Sequence, residues 1–261
     1  MTEGTGEKRA IGHLAPAIRR REKRRGPGRP PKKAATTGRT DLSAESITET
    51  AVELCREVDL VDLSVVRLAR HLNVTPAAIY YYIDDRDTLL ANVISRFWQM
   101  LLPCFDQSED LSWKSRVSSV ARALYEKQVT YKGINSYLIF NNRFSLIQSD
   151  TLDGKCGGLQ YLEKLLALFR SEGFGVTASL ANSRVLTQFI ADSANATSRR
   201  RLPSQYKQFL GVALGRIDKE SFPCVREAVA EFTAFGPDSA FDTGLQVLIR
   251  GFLDPPQPSS G

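Results

Sequence analysis

Long hydrophobic runs are missing from this chain of 261 residues. No stretch is apolar enough to span a bilayer, and the N-terminus, polar and then strongly basic, lacks a signal-peptide pattern, so the cytoplasm is the expected compartment and no membrane partner is expected. Histidine is scarce: with only His13 and His71, metal or triad chemistry built on imidazole has little material. The four cysteines, Cys55, Cys104, Cys156 and Cys224, are spaced too widely for a CxxC pair or a zinc pattern and read as small hydrophobes in a reducing compartment. There is no glycine-rich phosphate loop and no nucleophile–base constellation. The expectation is therefore a protein that is not an enzyme and carries no cofactor. No run alternates apolar and polar residues as a strand would, which leaves an all-α fold.

Charge is present in abundance and unevenly placed. The net charge is +6. Residues 1–40 carry +9, residues 41–95 carry −6, and residues 96–261 carry +3. Positive charge is thus concentrated in a tail whose apolar content is too low for a core, so residues 1–40 are expected to be disordered in isolation. A short tail, 255–261, is expected at the other end.

Helical signals dominate the remainder. Ser43 can cap a helix over Ser43–Val58, with Leu42 and Ile47 spaced as a hydrophobic staple and Ile47, Ala51, Leu54 and Val58 as its core stripe. Glu45, Glu49, Glu53 and Glu57 form a like-charge row on that helix; it reads either as a solvated face or as a dock for the basic tail. Ser64 can cap a second helix bearing Leu68 and Leu72, and Asn73 can take the left-handed conformation that ends it. Thr75 can cap a third, with Pro76 at its first position and Val74–Ile79 as a staple. Asp85 can cap a fourth, carrying Leu89, Leu90, Val93 and Ile94. Two short helices around a tight turn make a helix-turn-helix, whose second helix is shaped for the major groove of DNA. Tyr80, Tyr81 and Tyr82 are consecutive, so they cannot all face a helix interior, whereas Ile79 and Ile83 fit the core.

Residues Ser43 to about Val93 strongly resemble the DNA-binding domain of the TetR family of bacterial transcriptional regulators. The run Ile79-Tyr80-Tyr81-Tyr82-Ile83, with Arg86 after it, matches the family signature of a Leu-Tyr-x-His-Phe-like run followed by Lys. The resemblance implies contacts to double-stranded DNA. Ser64 falls where a phosphate is held. Thr75, Ala77, Ala78 and Tyr81 fall where bases are approached. Tyr80 and Tyr82 fall at phosphate-clamping positions, and Arg86 joins a helix N-terminus in holding another phosphate. Arg67 and Arg70 are further backbone candidates. Three departures stand out: Val66 in place of a polar base reader, Tyr82 for the frequent His, and Asn73 for the frequent Gly. The recognition helix bears no charged side chain, so bidentate Arg–guanine readout from it is excluded.

Within the tail, Arg25, Gly28, Arg29, Pro30, Lys32 and Lys33 belong to a stretch resembling an AT-hook. The resemblance implies an extended segment in the narrow minor groove of A·T-rich DNA; a basic tail that binds phosphates without preference is the alternative. The linker to Leu42 could reach on the order of 40 Å when extended.

The second half, 96–254, is expected to form a helical regulatory and dimerisation domain after the helix-turn-helix domain, 41–95. Its expected helices are Trp113–Thr130, Ile134–Ile147, Leu159–Ser171, Thr177–Ala196, one opening at Phe222-Pro223, and Ser239–Phe252, with a loop over Arg199–Ser221. Phe241-Asp242-Thr243-Gly244-Leu245 resembles the final helix of many family members. That implies a homodimer through Thr177–Ala196 and Ser239–Phe252, although the same apolar residues would also serve an intrachain core. The family resemblance also implies a pocket for a small hydrophobic or amphipathic effector, with Tyr125, Tyr137, Phe140, Asn141, Phe144, Phe169 and Phe189 as candidate lining residues. The expected function is a homodimeric repressor released from its operator by a small molecule. The alternative is an architectural A·T-rich DNA-binding protein without an effector.

Overall fold

The computed structural model describes residues 42–106, 111–140, 156–199, 207–217, 220–234 and 236–252. The tail positions Arg25, Gly28, Arg29, Pro30, Lys32 and Lys33, the short C-terminal tail, and the pocket candidates Asn141 and Phe144 lie outside the described residues.

The described residues are all-α, with no strand among them. The first helix, α1 (Ala44–Leu54), is fixed at its start by a reciprocal cap. Ser43 Oγ accepts the Ser46 N–H at 3.0 Å, and Ser46 Oγ accepts the Ser43 N–H at 2.9 Å. It ends one turn earlier than its apolar stripe suggests; Cys55–Val58 continue as turns, with Val58 still buried. A 3-10 turn at Leu60–Asp62 leads to α2 (Val65–His71), capped by Ser64. Asn73, at φ 55°, ends α2: its N–H donates to the Arg70 carbonyl and that of Val74 to the Ala69 carbonyl, the paired bonds of a Schellman motif. Thr75 caps α3 (Pro76–Tyr80), and Asp85 caps α4 (Arg86–Leu101) through the Thr88 N–H at 2.7 Å.

A 3-10 turn at Leu102–Phe105 follows, then α5 (Trp113–Thr130), α6 (Lys132–Phe140), α7 (Gly157–Arg170) and α8 (Val176–Ser198). The last three helices are α9 (Lys207–Gly215), α10 (Pro223–Ala234) and α11 (Pro237–Arg250). The expected loop over Arg199–Ser221 is corrected here, since α9 occupies its middle. Gly211 and Gly215 lower helix propensity there and hide the pattern. No described helix is long and apolar enough to cross a membrane.

One continuous hydrophobic core runs from Ile47 in α1 to Phe252 after α11. Within it α4 packs on α1 and α7, while α8 packs on α5, α6 and α7. Two glycines make the close approaches possible. A Cβ at Gly133 would lie 1.9 Å from the Val58 carbonyl oxygen, so only glycine lets α6 meet the end of α1, where its N–H donates to the Cys55 carbonyl at 3.0 Å. A Cβ at Gly157 would lie 2.3 Å from the Ser95 carbonyl oxygen, which ties the start of α7 to α4 in the same way.

Candidate nucleic-acid interface and ligand cavity

Helices α2 and α3 present one polar face to solvent. Ser64, Arg67, Arg70, Thr75 and Ala77 are exposed and Ala78 is half-buried, whereas Leu68, Ala69 and Ile79 are buried. Ser64 Oγ accepts the Arg67 N–H, and Thr75 Oγ1 accepts the Ala78 N–H, each at 3.2 Å. A hydroxyl that caps in this way still carries a proton it can donate outward. Capping thus fixes where each hydroxyl sits on that face.

Three tyrosines crown α3. Tyr80 is 51% exposed, Tyr81 83% and Tyr82 40%, while Ile79 and Ile83 on either side are buried. Tyr81 and Tyr82 meet edge to face at 5.1 Å. Such exposed aromatics, each with a polar tip, are costly to leave in water unless a surface covers them. Val66 is also exposed, at 57%.

Arg86, exposed at the start of α4, is engaged within the fold: its Nη2 donates to the Val61 carbonyl at 2.7 Å. Sequence spacing placed it beside a helix N-terminus but gave no sign of this bond to a residue 25 positions away. Next to it, the Thr88 backbone N–H holds the Asp85 carboxyl below the usual carboxylate range, with further help from the Thr88 side chain and the Asp87 N–H. Three of the four carboxylates of the acidic row, which runs past the end of α1, are likewise engaged. Glu49 pairs with Arg96 at 2.5 Å, Glu53 with Arg56 at 2.8 Å, and Glu57 with Lys132 at 3.6 Å.

A cavity of about 610 Å³ opens between α4, α6, α7 and α8, lined by Trp98, Ile139, Tyr161, Leu165, Leu180 and Thr187 among others. The aromatic candidates chosen from the sequence stand elsewhere. Tyr125 stacks on Phe241 at 4.1 Å and bonds Thr197 through its hydroxyl at 2.9 Å; Phe189 also stacks with Phe241, at 5.4 Å. Phe169 is buried edge to face against Phe174 and Phe252. Tyr137 is buried and Phe140 is exposed. None of these five residues lines the cavity. Trp98, Tyr161 and Thr187, which do, were not singled out in the sequence; the usable signal was an indole and a phenol on apolar helix faces, each needing a partner once buried.

A second, smaller, polar cleft lies where the end of α8 meets the turn before α2, lined by Asp59, Asp62, Arg67, Lys132 and Arg199. Among the described residues no group of histidine, cysteine or carboxylate side chains is arranged to hold a metal.

Residues 105–254 match the family model described as "Tetracyclin repressor-like, C-terminal domain". The tetracycline repressor protein class D of Escherichia coli is 24% identical over 221 residues, covering 81% of this chain and 89% of the relative. The class H tetracycline repressor of Photobacterium damsela subsp. piscicida gives the same figures. Among solved structures, apo ActR from Streptomyces coelicolor superposes with a TM-score of 0.65 at 23% identity, covering 82% of this chain and 96% of that one. ActR in complex with actinorhodin gives 0.63, with 82% and 97% covered at 23% identity.

Proposed function

Since the chain belongs to the tetracycline repressor-like family, we propose that it is a sequence-specific DNA-binding regulator, a homodimeric repressor that a small molecule releases from its operator. The observation that carries this reading is the exposed face of α2 and α3: capped helix starts, a Schellman turn at Asn73, and three adjacent tyrosines held outward by a buried Ile79 and Ile83. Residues 41–95 would read DNA, and 96–254 would sense the effector and pair two copies. Ser64, Arg67, Tyr80, Tyr82 and Arg86 are assigned to phosphates; Thr75, Ala77, Ala78 and Tyr81 to bases. Arg86 would serve by exchanging its bond to Val61 for a phosphate or by bonding both.

Dimerisation is supported by apolar side chains left exposed on α8 and α11: Val176 and Val185, and Val247 at 65% exposure. A two-fold dimer would set its reading heads about one DNA turn (~34 Å) apart. The effector reading rests on the cavity, whose interior is mostly apolar. Binding there would favour a conformation in which the two heads no longer fit successive grooves.

The basic tail is assigned a second grip. The reading head sits in an acidic segment, so Arg25, Arg29, Lys32 and Lys33 would supply much of the attraction to DNA, with Gly28-Arg29-Pro30 in an adjacent minor groove. Selection of bound duplexes from a random library, with the full chain and with a chain lacking residues 1–40, tests this. The reading expects the same core site from both and a flanking A·T preference from the full chain alone. Identical profiles would remove the tail from the mechanism, and loss of the core site on truncation would favour the architectural alternative.

A further inference from the structure

The outward side of α3 carries no charge and no amide. Thr75, Pro76, Ala77, Tyr80 and Tyr81 are exposed there, so the groups on offer are methyls, rings and hydroxyls. Ala77 and Tyr81 stand in line. Tyr81 keeps helical dihedral angles and its N–H donates to the Ala77 carbonyl at 3.2 Å, which sets the two side chains at i, i+4 spacing on one side of the helix. Among the described residues no large apolar or aromatic side chain is more exposed than Tyr81.

The Tyr81 ring is also held in place. Side chains one position apart on a helix point about 100° apart and do not face each other. Here the chain tightens after α3: the Tyr82 N–H donates to the Ile79 carbonyl at 2.9 Å, and the Tyr81 and Tyr82 rings meet edge to face at 5.1 Å and 82°. Ile79 and Ile83, both buried, fix the backbone on either side. A ring ordered before it meets its target loses less rotamer freedom on binding. Arg67 and Arg70, exposed on α2, make no ion pair among the described residues, which leaves two cations on the same face for a polyanion.

Bases in the major groove offer hydrogen-bonding edges and one apolar feature, the 5-methyl group of thymine. Bidentate readout of guanine or adenine needs Arg, Lys, Asn or Gln, and α3 has none of them. A methyl group and a fixed ring in line match the thymine methyl instead. We propose that α3 reads thymine through its 5-methyl group, packed against Ala77 and the Tyr81 ring, and that Tyr82 is the positioning residue that sets that ring. The proposal rests on the reading of residues 41–95 as a DNA-binding domain and adds to it the base that is read. The Tyr81 and Tyr82 hydroxyls stay free for bonds of their own.

The test takes the full chain and its selected duplex and replaces each thymine of the core site in turn by uracil, which keeps the pairing and removes only the methyl group. Fluorescence anisotropy gives the ratio of the two affinities. At least one position in each half-site is expected to lose about fourfold, the effect of one buried methyl. Tyr81→Ala should abolish that loss, and Tyr82→Leu should reduce it to about twofold or less. Tyr81→Phe and Tyr82→Phe keep the rings, so both should retain the about fourfold ratio while weakening thymine and uracil duplexes alike. A phosphate contact or a purely structural role for Tyr82 would lower both affinities and leave the ratio unchanged in Tyr82→Leu, which would overturn its positioning role. A core site without thymine, indifference of the native protein to uracil at every position, or a ratio that survives Tyr81→Ala would overturn the thymine readout. The native comparison does not depend on any variant folding. An enriched core site that tolerates uracil would remove the thymine readout alone, whereas no enriched site would remove it together with the reading of the chain as a sequence-specific regulator.

Discussion

Arg199, the residue that follows α8, places its Nη2 2.7 and 2.8 Å from the two carboxylate oxygens of Asp59 and 2.7 Å from Ser136 Oγ. Asp59 immediately precedes the 3-10 turn that leads into α2, and the next turn residue but one, Val61, accepts the Arg86 bond. A single helix therefore lines the cavity along its middle and grips the base of the helix-turn-helix at its end. Between Thr187 and Arg199 it spans roughly 18 Å at helical rise.

The pair is partly exposed, which limits its strength. A double-mutant cycle of Arg199→Gln and Asp59→Asn in urea unfolding is expected to give a coupling energy of about 0.5–1 kcal/mol. If the pair also carries the effector signal, Arg199→Gln retains operator binding but loses most of the effector-induced release. A coupling energy near zero together with an unchanged release would exclude both roles.

The tyrosine face makes a prediction that separates binding from folding. Tyr80, Tyr81 and Tyr82 are exposed and contribute little to the core. Replacing Tyr81 or Tyr82 with Phe should weaken operator binding about three- to tenfold, the loss of one hydrogen bond, and leave the unfolding midpoint unchanged. Tyr81→Phe should also relax base preference, whereas Tyr82→Phe should weaken all sequences alike. Equal binding by both variants would contradict these contacts.

The close approach at Gly133 predicts a large cost for one methyl group. With the Val58 carbonyl oxygen 1.9 Å from an added Cβ, Gly133→Ala must push α6 away from the end of α1. The expected destabilisation is roughly 1–3 kcal/mol, or more, by urea unfolding. Gly211→Ala, where an added Cβ meets nothing, is the control and should be neutral or slightly stabilising.

Cysteine reactivity follows burial. Desolvation, with Asp59 adding to it, pushes the Cys55 thiol up to about 12, while Cys224 is exposed. A folded-state value raised above the ordinary one means that the neutral thiol is favoured by the fold. Its contribution is complete below the unfolded thiol pKa and is lost as pH rises through about 12. At pH 8 a thiol-disulfide reagent should therefore label Cys224 at once and Cys55 only at the rate of unfolding. Rapid labelling of Cys55 in the native protein would contradict its burial.

What was legible in the sequence was local. Ser43, Ser64, Thr75 and Asp85 each cap the helix their positions suggested, and Asn73 takes the left-handed conformation, because a cap is decided within four residues. The cavity was not legible. Aromatic density drew attention to Tyr125, Phe169 and Phe189, but helical period says only that such residues face inward, not which neighbour they meet. Phe241, Phe174 and Phe252 fill their surroundings, and contacts with Phe241 and Phe252 span more than fifty positions. Arg86 escaped for the same reason: its partner is a backbone carbonyl in a turn that no pattern predicts. Helix α9 was hidden by its own glycines.

The measurement that bears most directly on the account is a DNA footprint of the full chain on its selected duplex, together with the mass of the complex. The account predicts protection of a two-fold symmetric site with half-sites about one turn (~34 Å) apart, bound by two copies of the chain. Broad protection of A·T-rich DNA without symmetry, or a single copy on an asymmetric site, would contradict it.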